Sequence, residues 1–160
     1  PFFGGKNLSV VIHIPSGRVL NKFIGFLNEI NPDKDFWKEL DEISLEEIKN
    51  STLKINLALF GSAFGYEKCG GFIQNLNEEN FNLRNYLASI LRCYANQYAN
   101  AIKQLSPNEK YTKIILSGGI SNKLKFLKNY LHDVTGYDVE RVKPEFDETF
   151  SGLKKLSKNI

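Results

Sequence analysis

An α/β fold, with a mixed sheet flanked by helices, is predicted by three observations. Apolar runs with strand character occur at residues 8–14, 52–60, 72–76, 112–116 and 137–142. Between them lie stretches whose apolar residues recur every three or four positions, the stripe of an amphipathic helix. In the last third the two types alternate regularly, punctuated by Gly118, Gly119 and Gly136. Strands spaced by amphipathic helices imply βαβ units with parallel pairing.

The elements follow in order. Val10, Val11, Ile12 and Ile14 give residues 8–14 β-branched bulk. Pro15, Ser16 and Gly17 end that run, and Ser16 or Gly17 caps the next element. Residues 18–30 carry a helical stripe through Val19, Leu20, Phe23, Ile24, Phe26, Leu27 and Ile30, closed by Asn31, Pro32 and Asp33. A short helix is expected over 35–40. Ser44 with Glu47 three positions later fits a capping box. Residues 52–60 alternate, Leu53, Ile55, Leu57 and Leu59 against Lys54 and Asn56, as a half-buried strand does. A glycine-punctuated connection spans 61–71, and a short strand follows at 72–76. The longest helix is expected over 82–105, with Leu83, Leu87, Ile90, Leu91, Tyr94 and Tyr98 on one stripe. The remainder reads as strand 112–116, helix 121–134 with Gly136 as its C-terminal cap, strand 137–142, and a helix from Glu148 to about residue 158. Strands first, then alternating helices and strands, is the order of a ribonuclease-H-like domain.

At 160 residues the chain makes one domain or part of a larger protein. That length buries roughly two-thirds of the unfolded surface. With 42% apolar and 24% charged residues it is globular in composition. Net charge is +3 with lysines spread along the chain, and no basic block is interleaved with aromatics, so no nucleic-acid partner is expected. There is no apolar run of transmembrane length, so no membrane role is expected. Cys69 and Cys93 form no CxxC pair and are read as inert buried thiols in a reducing, cytoplasmic setting. The chain opens on Pro1-Phe2-Phe3-Gly4-Gly5 and is read as a piece of a longer protein.

The candidate site is the run Lys113 to Asn122. Apolar Ile114, Ile115 and Leu116 lead into Ser117, Gly118 and Gly119, and a polar helix start follows at Ser121 and Asn122. Glycine lets backbone approach a ligand closely because it has no Cβ. The first turn of a helix offers unpaired N–H groups and partial positive charge. A phosphate or nucleotide is the natural occupant of such a turn. Gly118 and Gly119 are the first candidates and Asn122 the second, while Ser121 is read first as a helix cap.

Four segments together resemble the C-terminal domain of the FGGY carbohydrate kinases, within the actin-like ATPase superfamily, and especially the sedoheptulokinase-like branch. They are residues 8–21, residues 70–76 with the long helix behind them, Ser117-Gly118-Gly119-Ile120-Ser121-Asn122, and residues 148–153. The resemblance covers nearly the whole chain. It implies a C-terminal nucleotide-binding domain over residues 1–160, with a sugar-binding N-terminal domain lying outside this sequence. It implies ATP and Mg²⁺ as cofactors, Gly118, Gly119, Ser121 and Asn122 as nucleotide-binding residues, and a sedoheptulose-like ketose as acceptor. No catalytic residue is assigned, because the family's catalytic aspartate lies in the other domain. The family's phosphate-cradling Gly-Thr/Ser-Ser turn is also missing here, so the isolated chain is expected to be inactive and to self-associate through an exposed cleft face. Alternatives are another actin-like ATPase with a different acceptor, or a non-catalytic domain used for protein association.

The other polar residues have plainer readings. Arg18 is taken as a salt-bridge partner in preference to a phosphate ligand. His13 is read as a hydrogen-bonded structural histidine, and His132 as a surface residue near a helix C-terminus. Neither has a second ligand at metal spacing, so no metal site is expected. Asp133, Asp138 and Asp147 lie in no motif. Trp37 and most other aromatics are read as core or interface filler.

Overall fold

The computed structural model describes residues 7–68, 70–108, 111, 113–142, 154 and 157. Among these, six helices and four short strands form an α/β arrangement with two separate two-stranded sheets. The expected single mixed sheet is therefore not found. Cys69, Asp147 and the segment 148–153 lie outside the described residues, as does most of the helix expected to follow Glu148.

The first half is helical. Helix α1 (Gly17–Ile30) buries Val19, Leu20, Ile24 and Leu27 of the predicted stripe, while Phe26 and Ile30 on it are exposed. Ser16 precedes it, but its side chain makes no capping bond; instead its carbonyl accepts from Val19 and Leu20 N–H groups at 2.9 and 3.2 Å. Helix α2 (Phe36–Asp41) is capped by Asp35, whose carboxylate accepts from the Trp37 and Lys38 N–H groups. Helix α3 (Leu45–Asn50) begins with the predicted capping box: the Glu47 N–H donates to Ser44 Oγ and the Ser44 N–H donates to the Glu47 carboxylate. Two groups left over by the helix start are satisfied reciprocally.

Strand β1 (Lys54–Ile55) pairs antiparallel with β2 (Ile73–Gln74). The alternating run 52–60 predicted a longer strand. It ends early because the Asn56 side chain accepts the Ala58 N–H at 2.7 Å and the Leu59 N–H turns back to the Leu57 carbonyl at 2.8 Å. An asparagine offering its own acceptor competes with the ladder.

Helix α4 (Leu83–Leu105) is the spine of the molecule, capped by Asn82 Oδ1 accepting from the Asn85 N–H. Leu87, Ile90, Leu91 and Tyr94 on it are each at most 1% exposed. They meet Ile48, Leu53, Leu57 and Leu131 in one continuous core.

The last third is a βαβ unit, as the alternation predicted. Strand β3 (Lys113–Leu116) runs parallel to β4 (Asp138–Arg141), with Lys113 opposite Asp138 and Leu116 opposite Arg141. The crossover contains two helices, α5 (Gly119–Lys123) and α6 (Leu127–Thr135), where the pattern predicted one over 121–134. The break at Leu124 and Lys125 keeps both Leu124 and Leu127 buried. It frees two carbonyls, and the Arg141 guanidinium donates to both, at 3.1 and 3.4 Å. Gly136 ends α6 in the left-handed conformation, φ 72°, as its C-cap role predicted.

Residues 8–14 were expected as a strand and join no ladder. Among the described residues, the one backbone pairing of this segment is the His13 carbonyl, accepting from Phe64 N–H at 2.9 Å. His13 itself has φ 61°, which interrupts an extended run.

Candidate functional site

The glycine turn joins β3 to α5. Gly118 precedes α5 with φ 86° and ψ 167°. That φ carries a steric penalty for any residue with a Cβ, so the turn itself requires glycine here. Its carbonyl accepts the Asn122 N–H at 3.2 Å and the Ser121 hydroxyl at 2.8 Å. Ser121 thus lies inside the helix and donates backward to the turn. It is not the N-cap, because the helix begins two residues earlier.

Gly119 differs from Gly118. Its φ is not in the left-handed range, and a Cβ built on it meets nothing within 4 Å. Ser117, Gly118 and Gly119 are all exposed. Neither the backbone conformation nor the packing of the described residues demands glycine at position 119.

Beside the turn lies a cavity of about 510 Å³. One wall is α4, through Tyr94, Tyr98 and Ile102; another is β3 with the glycine turn. The third is the segment before α1 with the first residue of that helix, contributing Val11, Ile14, Ser16 and Gly17. No Lys, Arg, Asp or Glu is among the lining residues. The polar groups on offer are the turn backbone, the hydroxyls of Ser16, Ser117 and Ser121, and the tyrosines. Tyr94 Oη donates to Tyr98 Oη at 3.2 Å. Burial pushes the Tyr94 phenol well above the usual range, so it stays protonated. The cavity has no charged side chain and is mostly apolar, with a few hydrogen-bonding groups spread over its three walls, a composition that suits a small molecule.

The structure thus brings Gly118, Gly119 and Ser121 to the cavity and leaves Asn122 out. Asn122 faces the other side of α5, where it lines a second recess with Trp37, Asp41 and Lys123. Its Oδ1 is buried there without a hydrogen-bond partner among the described residues. Lys123 Nζ lies 4.7 Å from the Trp37 ring centroid on the same side, a cation–π contact. The successive residues 121 and 122 diverge because a helix turns by about 100° per residue.

Tyr98 and the Ser16–Gly17 pair are the cavity residues that sequence reasoning did not single out. Tyr94 and Tyr98 sit four apart on one helical stripe, which reads as core. Only the glycine turn opposite them makes that stripe a wall. Gly17 carries a tighter constraint: a Cβ there falls 2.7 Å from Ile120 Cγ1. The start of α1 therefore packs directly on the first turn of α5.

The remaining polar residues take structural places. Arg18 makes no salt bridge among the described residues; its guanidinium lies 4.5 Å from the Phe60 ring centroid. His13 is exposed and makes no side-chain hydrogen bond among the described residues. His132 is an exposed residue near the end of α6, with Nδ1 at 2.8 Å from the Tyr137 carbonyl. Asp133 pairs with Lys49 at 2.5 Å. In the connection 61–71, Tyr66 Oη accepts from the Leu57 N–H and the Gln97 amide, and burial pushes its pKa up to about 12. Cys93 Sγ donates to the Ile55 carbonyl at 2.7 Å. Among the described residues no group of three or more His, Cys, Asp or Glu side chains is placed to hold a metal ion. None of the described helices is long and apolar enough to cross a membrane. No protein-family model, curated protein or solved structure matches the chain.

Proposed function

We propose that this chain is the nucleotide-holding C-terminal part of an ATP-dependent carbohydrate kinase, a variant of the ribonuclease-H-like architecture, and that the cavity takes the adenosine end of the nucleotide. The observation that carries the reading is Gly119. Among the described residues nothing requires glycine there, whereas a ligand laid against the backbone would. The turn follows a strand, faces an apolar cavity large enough for a planar base, and sits in the order of elements that resembles the FGGY kinases.

The uncharged lining also divides the labour. An apolar cavity with hydroxyls and backbone amides at its rim suits a base and a ribose. It does not suit a triphosphate, and it has no carboxylate for Mg²⁺. Phosphates and metal belong to the hairpin and the sugar-binding domain that the resemblance places outside this sequence. Phosphoryl transfer depends on positioning and charge stabilisation more than on covalent chemistry from the protein. This chain's share is to hold the base, orient the nucleotide through Gly118 and Gly119, and shield it from water. The group that accepts the sugar hydroxyl's proton lies in the other domain.

The test is an NMR titration of the chain and of Gly119→Val with adenosine, Mg-ADP and Mg-ATP. Saturable shifts at residues 117–121 are expected, with affinities for the three ligands within about threefold, since no charge lines the site. Gly119→Val should lose them at unchanged melting temperature. Absence of shifts at millimolar adenosine, or a variant that binds as well as the parent, would refute the reading.

A further inference from the structure

The geometry points to residues 8–12 as a strap that adds to the free edge of β3 as a third, parallel strand and closes the cavity as it does so. The structure shows the open arrangement. Among the described residues strand β3 has one neighbour, β4, and its other edge pairs with none of them. Bordering the same cavity as β3 is the segment containing Val11 and Ile14. Residues 8–12 are Leu, Ser, Val, Val and Ile, without a charge or a proline, the two devices that keep a strand from pairing. None of their backbone groups is hydrogen-bonded to other described backbone. A β-branched segment with an unsatisfied backbone beside an unsatisfied edge is a ladder waiting to form.

Direction and facing agree with this. Gly17 packs on Ile120, so the strap runs toward the C-terminal end of β3, which sets a parallel pairing. In the strap Leu8, Val10 and Ile12 are 61–63% exposed, while Val11 faces the cavity. In β3 Ile115 is 63% exposed, and Leu116 is buried with Ile114 half-buried. A parallel pairing in this register sets Val10 and Ile12 beside Ile115 on one face and Val11 beside Ile114 and Leu116 on the other. His13, with φ 61°, ends the ladder after five residues, about the length of β3. Paired strands lie about 4.8 Å apart, a spacing that leaves no room for a ligand between them. Strand pairing and cavity occupancy therefore exclude one another.

The test is amide hydrogen exchange on the chain, with benzene as a probe of the apolar cavity. In the ligand-free protein, alternate amides of residues 8–12 should exchange at least about tenfold more slowly than in an unstructured peptide. Successive N–H groups of a strand point to opposite sides, so one of Val10→Pro and Val11→Pro must remove a donor to β3 and abolish that protection. Unchanged α4 protection shows that each variant folds. Benzene should bind more tightly to the unzipped variant than to the parent, and saturating benzene should lower protection of residues 8–12 in the parent. The proposal is overturned by free exchange of these amides without ligand, by protection that survives both prolines, by benzene that shifts Ile114 and Tyr98 without changing it, or by a variant cavity that takes no benzene. Adenosine forms a separate arm that rests on the nucleotide reading: its failure to bind would remove that reading and leave the strap to the benzene and proline results.

Discussion

Replacing Gly17 by alanine puts a methyl group where Ile120 already sits. The ideal Cβ falls 2.7 Å from Ile120 Cγ1 and 3.0 Å from Cδ1, against a comfortable carbon–carbon separation of about 3.5–4.0 Å. Cγ1 is not the end of the side chain, so rotating the terminal methyl away does not relieve the contact. Overpacking of this kind costs about 1–3 kcal/mol. Gly17 is the first residue of α1, where alanine recovers at most about 0.5–1 kcal/mol of backbone entropy. The net expectation is a loss of about 0.5–2 kcal/mol. Ile120→Ala alone should cost roughly 1–2 kcal/mol, below the fully buried range because Ile120 is half-buried. In the double variant the clash is gone, so the two losses should not add: the coupling should be about 1–2 kcal/mol in favour of the pair. Urea unfolding of the four proteins measures this. Additivity within about 0.5 kcal/mol would show that α1 and α5 do not pack as described.

Two further outcomes follow from charge and burial. The Arg84 guanidinium first, then the Ser44 hydroxyl and N–H, hold the Glu47 carboxyl at about 2, below its ordinary 4.5. A depressed carboxylate stabilises the fold fully above its ordinary value and loses that contribution as pH falls from about 4.5 to 2. The Glu47 side chain is 35% exposed, so solvent screening leaves about 1 kcal/mol. Urea midpoints at pH 7 and pH 3 should therefore differ less in Glu47→Gln than in the parent, and an identical difference in both would contradict the assignment. Burial pushes the Cys93 thiol up. Iodoacetamide should modify it at pH 8 at least about tenfold more slowly in the folded chain than in urea, followed by mass spectrometry of its peptide; equal rates would place that thiol at the surface.

The parts of the fold legible in the sequence are those decided locally. The capping box at Ser44 and Glu47, the Asn82 start of α4 and the left-handed Gly136 each depend on side chains within a few residues. The buried face of α1 was legible because one stripe can point only one way at the core. Where distant groups decide, the pattern fell short. The helix expected over 121–134 breaks because Arg141, well beyond it in the chain, takes the carbonyls of Leu124 and Lys125. Residues 8–14 have every local mark of a strand, but a strand also needs a partner, and in this arrangement they border the same cavity as β3 without pairing to it.

The same distinction separates the two glycines of the site. Sequence alone cannot tell a glycine that serves a turn from one that serves a ligand, since both appear in the same Gly-Gly pair. Backbone geometry can. Gly118 stands at φ 86° and ψ 167°, a region kept almost entirely by glycine, so alanine there would cost about 1–3 kcal/mol whether or not anything binds. Gly119 has ordinary geometry and open space around it, so a side chain there should cost the fold nothing. The described residues therefore account for glycine at 118 and do not require it at 119. That asymmetry is why position 119, and not the more strained 118, is where binding and stability come apart. A variant at Gly118 that weakened a ligand would be ambiguous, because it also weakens the turn. A variant at Gly119 is not, and its effect on adenosine bears on the cavity alone.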